Sequence, residues 1–144
     1  LAACPSELAV YRDAADTAGI DFRPTGDSAA VTNTFKIALR DGPVLDGIVM
    51  WTEDPLQSWG AVSLDCPEGD VTGEELADCT IWEGAVYAVG EDGMAGMMPR
   101  ERNSAARQLI LAGFAFQMQA APALAERQPA KLPSDIFTLS GCQE

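Results

Sequence analysis

The sequence contains no histidine. That absence removes Ser-His-Asp and Cys-His catalytic machinery and every imidazole metal site. No Cys-x-x-Cys pair occurs, so no zinc ribbon, thioredoxin-type redox pair or haem attachment is written here. Long apolar runs are missing too. The stretch from Leu109 to Phe116 is broken by Gly113 and is far too short to span a bilayer. Basic residues are absent from the middle: no Lys or Arg lies between Arg40 and Arg100, while thirteen acids do. The other nine of the 22 acids are matched by nine bases, so this gap carries the whole net charge of −13. A field of that sign repels nucleic acid and anionic lipid, and attracts a cationic protein or ligand. The same acids also read as a solvated surface that aids solubility.

What the chain does contain is an even set of cysteines: Cys4, Cys66, Cys79 and Cys142. Four cysteines allow three pairings. The favoured one is Cys66–Cys79 with Cys4–Cys142. The first closes a loop holding Pro67, Gly69 and Gly73, and the second ties the two ends, which usually lie close together in compact domains. Disulfides persist in oxidising compartments, which predicts a periplasmic or secreted protein. Leu1-Ala2 reads as the tail of an Ala-x-Ala cleavage site of an export signal. Leu-Ala-Ala-Cys also fits a lipoprotein processing site, with Cys4 as the membrane anchor; that would leave one thiol unpaired. At 47% hydrophobic, residues 1–144 suit one globular domain.

Patterning predicts an α+β fold: mainly an antiparallel sheet meander, one buried helix in the C-terminal half and a shorter N-terminal helix. Leu8, Tyr11, Ala15 and Ala18 fall on one helical face after a Ser6 cap, with Gly19 to end it. Strands are expected at 20–23, then through Phe35, Ile37 and Leu39, whose apolar residues alternate with Lys36, Ala38 and Arg40. Asp41-Gly42 turns the chain into a partner strand at 45–52. Further strands read at 59–64, 80–89 and 136–139. Thr72 with Glu75 three residues on forms a capping box for a helical turn at 73–78. The buried helix is expected from Asn103 or Ser104 to Ala120, stopped by Pro122.

Several chemistries have raw material. A Ser–Lys dyad would need Lys36 or Lys131, neither in an apolar setting. Glu53, Asp54 and Asp65 lie near Trp51 and Trp59, the pairing of acids and indoles that a carboxylate-type glycan-acting enzyme uses; Trp51, Trp59 and Trp82 equally read as sheet core. Asp65, Glu68, Asp70 and Glu74 would hold calcium if the disulfide gathered them, although their spacing is not that of an EF-hand. Met94, Met97 and Met98 are a soft ligand set for Cu(I), or core filler. Arg100, Arg102 and Arg107 form the only basic cluster.

In type, the chain resembles the small exported proteins of Gram-negative bacteria. The resemblance rests on the processed-looking start, the four cysteines and the acidic balance, and it transfers no functional residue. No catalytic residue, metal site or cofactor is assigned from the sequence. The expected function is an exported, non-catalytic binding or interaction module that presents an acidic loop of Asp65, Glu68, Asp70, Glu74 and Glu75 to a cationic protein or ligand. A small stapled inhibitor of a cationic hydrolase is one concrete form. The alternatives are the glycan-acting enzyme and a calcium- or Cu(I)-binding protein.

Overall fold

The computed structural model describes residues 4–26 and 30–144. The expected Leu1-Ala2-Ala3 processing site lies outside the described residues. The chain forms an antiparallel meander, β1 (Ala9–Arg12), β2 (Ala18–Arg23), β3 (Asn33–Leu39), β4 (Val44–Thr52), β5 (Gln57–Ser63) and β6 (Thr80–Val89). A two-residue strand β7 (Ala95–Gly96) pairs with β6. Then β8 (Gln108–Leu111) and β9 (Ile136–Cys142) complete the sheet, with helix α1 (Gly73–Cys79) between β5 and β6 and helix α2 (Phe114–Ala120) between β8 and β9. Because β9 pairs with β1 and β5 with β6, the sheet closes into a barrel of eight strands, with β7 as an extra short edge. Closure removes the open edges that a sheet otherwise presents for aggregation.

Two expectations are corrected. The N-terminal helix is not there: Ser6–Leu8 is a single 3-10 turn, and the chain then enters β1 with Ala9 and Tyr11 inward. The long C-terminal-half helix is divided: Gln108–Leu111 is a strand with Leu109 and Leu111 inward, and only Phe114–Ala120 is helical. Gly113 makes the break. Its φ of 73° is open to glycine at no steric cost, and Asp135 then accepts from the N–H groups of Gly113 (3.2 Å) and Ala115 (2.8 Å) to start the helix.

An eight-stranded barrel has an interior just wide enough for side chains to fill or for one small ligand. Here side chains fill it. One aromatic chain runs Tyr11–Phe22–Phe35 with ring centroids 5.8 and 5.3 Å apart, and another runs Trp82–Phe114–Phe137 at 5.9 and 6.3 Å. The rings need room, and glycines provide it. A Cβ on Gly60 would sit 2.7 Å from Trp82 Cζ3, and the Phe35 ring occupies the space above Gly47. The polar ends of the buried rings are satisfied: Tyr11 donates to the Ala106 carbonyl (2.7 Å) and Trp82 Nε1 to the Ala112 carbonyl (2.7 Å). Outside, β1, β2, β3 and β4 present Arg12, Asp21, Arg23, Lys36 and Asp46. Among the described residues, no helix is long and apolar enough to cross a membrane.

Strand direction assigns every connection to one of two barrel ends. The first end holds the hairpins 13–17 and 40–43, the segment 64–79 and the α2 region. The second holds the N-terminal turn, the hairpin 53–56, the segment 90–107 and Cys142. A disulfide ties each end: Cys66–Cys79, with Cα atoms 5.2 Å apart, and Cys4–Cys142, with Cα atoms 5.7 Å apart. This is the expected pairing. The second end is stoppered by Met98, wholly buried, whose N–H donates to Ser58 Oγ (2.7 Å). The neighbouring Pro99 carbonyl accepts from Asn33 Nδ2 (3.0 Å) and Ser6 Oγ (3.2 Å).

Candidate functional site

The sequence-predicted loop residues all sit at the first barrel end, on one connection between β5 and β6. Its geometry follows from local chemistry. Leu64 N–H donates to the Cys79 carbonyl (2.9 Å), which brings the two ends of the connection together beside the Cys66–Cys79 bond. Asp65 takes φ 53° and Gly69 φ 81°, so the loop reverses twice. The capping box forms as expected: Glu75 N–H donates to Thr72 Oγ1 (3.1 Å), and Thr72 N–H donates to Glu75 Oε1 (3.1 Å). Thr80 Oγ1 then donates to the Leu76 carbonyl (2.6 Å) and closes the last turn of α1. Stapling and capping hold a seven-residue helix that would be marginal alone.

Asp65, Glu68, Asp70, Glu74 and Glu75 are all exposed, as is Asp78 on the same connection. Of these, Glu75 has a structural task in the cap. Asp65 faces Arg127 Nη1 at 3.4 Å, an exposed pair of small energetic weight. A hollow of about 360 Å³ lies between this connection and the α2 side, lined by Leu64, Pro67, Glu75, Asp78, Ala123 and Arg127 among others. Among the described residues, no group of three or more Cys, His, Asp or Glu is placed to hold a metal ion. The carboxylates stand apart along the loop rather than converging.

The other sequence-derived candidates are dispersed. Glu53 and Asp54 are exposed in the hairpin at the second barrel end, whereas Asp65 follows β5 at the first. A seven-residue strand spans about 20 Å, so Asp65 cannot face Glu53 or Asp54 at the 5–9.5 Å that glycoside hydrolysis requires. Trp82 is buried in the barrel, Trp59 points outward from β5 and is 40% exposed, and Trp51 lies at the second mouth under the Arg100 guanidinium, 4.2 Å from its ring centroid. Met98 is the stopper, Met97 is half-buried and Met94 is exposed.

Sequence reading missed a buried carboxylate that accepts four hydrogen bonds. Asp13 is only 5% exposed and organises the hairpin between β1 and β2. It accepts from the N–H groups of Thr17 (2.7 Å), Ala18 (3.1 Å) and Ser134 (3.2 Å), and from the Thr17 hydroxyl. Burial pushes its carboxyl up, but these four bonds outweigh burial and hold it below the ordinary aspartate value. Burial also drives the Tyr11 phenol well above its usual range, against the opposing effect of its bond to Ala106. The signal for Asp13 was available: an aspartate followed closely by a threonine between two apolar alternations marks a side-chain-stapled turn.

The carboxylates of the segment 65–78 are exposed along the connection, with Arg127 beside Asp65. Comparison with known protein families, with characterised proteins and with solved structures finds no match to this chain.

Proposed function

We propose that this chain is an exported, non-catalytic interaction module that binds a cationic protein through the stapled segment 65–78. The observation that carries the reading is the display of six carboxylates and no base along that segment, all exposed, on a backbone fixed by a disulfide and a capping box. Fixing the loop before binding removes ordering cost from association. Two disulfides support an oxidising compartment. The Cys4 sulfur that a thioether lipid would use is the one joined to Cys142, so lipid attachment and this disulfide exclude each other.

The test is affinity capture from periplasmic or culture extract at low ionic strength. The baits are the wild type and a variant carrying Glu68→Gln, Asp70→Asn, Glu74→Gln and Glu75→Gln. Glutamine at 75 preserves the capping box. A cationic protein held by the wild type and released from the variant supports the reading. Identical captures by both baits refute it.

A further inference from the structure

Helix α1 has two sides, and only one of them is acidic. Gly73, Leu76, Ala77 and Thr80 recur at helical spacing and share a side. That side forms one wall of a second groove, of about 350 Å³, with the almost fully buried Ile81 and Trp82 beneath it and Glu83 and Gln117 opposite. Gln117 is held there by its reciprocal bonds to the Glu83 backbone, Oε1 accepting from N–H (3.1 Å) and Nε2 donating to the carbonyl (3.0 Å). Leu76 is 46% exposed and lines this space, beside the exposed carboxylates of α1. The volume lies at the small end of the range of ligand pockets, about 300–1000 Å³, and suits a single side chain rather than a whole ligand.

Charge complementarity selects the occupant. No base lines the groove, and Glu83 borders one side of it while Glu74, Glu75 and Asp78 sit along α1 on the other. A segment crossing α1 is thus met by carboxylates on both sides of an apolar slot. We infer that the groove takes one large apolar side chain from a basic segment of the partner protein, flanked in the partner's sequence by lysines or arginines. The inference rests on the proposed function and deepens it: carboxylates steer encounter, whereas a buried apolar anchor in a pocket holds the complex.

The experiment uses the intact chain and two fluorescein-labelled heptapeptides of equal charge, six lysines around a central phenylalanine and the same with a central serine. Fluorescence anisotropy at low salt is expected to give the phenylalanine peptide about tenfold tighter binding. Leu76→Gln, which removes the apolar wall, and Ala77→Phe, which fills the slot, are each expected to abolish that preference without altering serine-peptide affinity. Amide NMR shifts of the wild type on adding the phenylalanine peptide should centre on residues 73, 76, 77 and 117, a readout that needs no variant to fold. Equal binding of both peptides, a preference that survives both substitutions, or shifts centred elsewhere overturns the groove while leaving the acidic surface standing. Binding of neither peptide at low salt overturns both.

Discussion

Replacing Asp13 by alanine tests whether the barrel depends on this buried carboxylate. The side chain accepts three backbone N–H groups and a hydroxyl, drawn from the β1–β2 hairpin and from Ser134 in the arm before β9. Removal leaves those donors without their acceptor in a site that is 5% exposed. Hydrogen bonds to a charged group contribute about 1.5–3 kcal/mol each, but these four share one desolvation penalty, so a net loss of roughly 2–4 kcal/mol is expected. For a chain of this size that lowers Tm by roughly 6–15 °C. Asp13→Asn should be as damaging, because its amide would point a donor at donors. The pH dependence has a defined sign. A carboxyl whose folded pKa lies below its unfolded value, about 3.9, stabilises above that value, and the contribution is lost as pH falls through the folded pKa. Urea melts of wild type and Asp13→Ala at pH 7 and at pH 2–3 should therefore show a gap that narrows in acid. A gap under about 0.5 kcal/mol at pH 7, or one that widens in acid, would refute the reasoning.

Three further outcomes follow from the packing and the disulfides. Non-reducing peptide mapping should recover Cys66–Cys79 and Cys4–Cys142 peptides and no others. Removing the short loop's bond should cost about 3 kcal/mol and the long one's nearer 5 kcal/mol by chemical denaturation, since the entropy released grows with loop length. Phe114→Ala, which empties the contact between Trp82 and Phe137, should cost about 3–5 kcal/mol, whereas Phe116→Ala, 79% exposed, should cost under about 0.5 kcal/mol.

That last pair marks where sequence reading succeeded and failed. The strand from Phe35 to Leu39 was legible because its apolar residues alternate cleanly and Asp41-Gly42 supplies a turn, Asp41 taking φ 55°, whereas the strands through Ile48–Trp51 and 80–89 were legible as apolar runs bounded by turn residues. The capping box at Thr72 and Glu75 was legible because it needs only local chemistry. The N-terminal helix was misread because Leu8, Tyr11, Ala15 and Ala18 satisfy a helical period, while the true inward set, Ala9 and Tyr11 and then Ala18, Ile20 and Phe22, satisfies a period of two across a turn. Short runs cannot decide between the two periods. Joining Ile110 to Phe116 in one helix repeated the error by passing through Gly113. Closure of the barrel depends on pairings such as Tyr11 with Leu139 and Trp59 with Ala85, far apart along the chain, and no local pattern encodes them. The disulfides were legible by position, one at the ends and one across a turn. The Met98 stopper was not, since its partner Ser58 comes near only in the closed barrel, whereas for Asp13 the local bonds to Thr17 and Ala18 were open to sequence reading and only the bond from Ser134 was not.

Binding by the stapled acidic segment, as proposed, differs measurably from the net charge of −13 acting at a distance. The most direct measurement is the association rate with a cationic probe protein, hen lysozyme, for three forms of the chain at low and high salt. The first is wild type. The second carries the four neutral substitutions at Glu68, Asp70, Glu74 and Glu75. The third neutralises as many acids at the opposite barrel end, with Glu53→Gln, Asp54→Asn, Glu91→Gln and Asp92→Asn; asparagine keeps the turn at Asp54, where φ is 51°, and the acceptor that Asp92 offers Met94. At low salt the second form is expected to associate about tenfold more slowly than wild type while the third stays within about twofold, both differences shrinking at high salt. Equal slowing of the second and third forms would contradict it, and would reduce the acidic end to a share of the protein's overall charge.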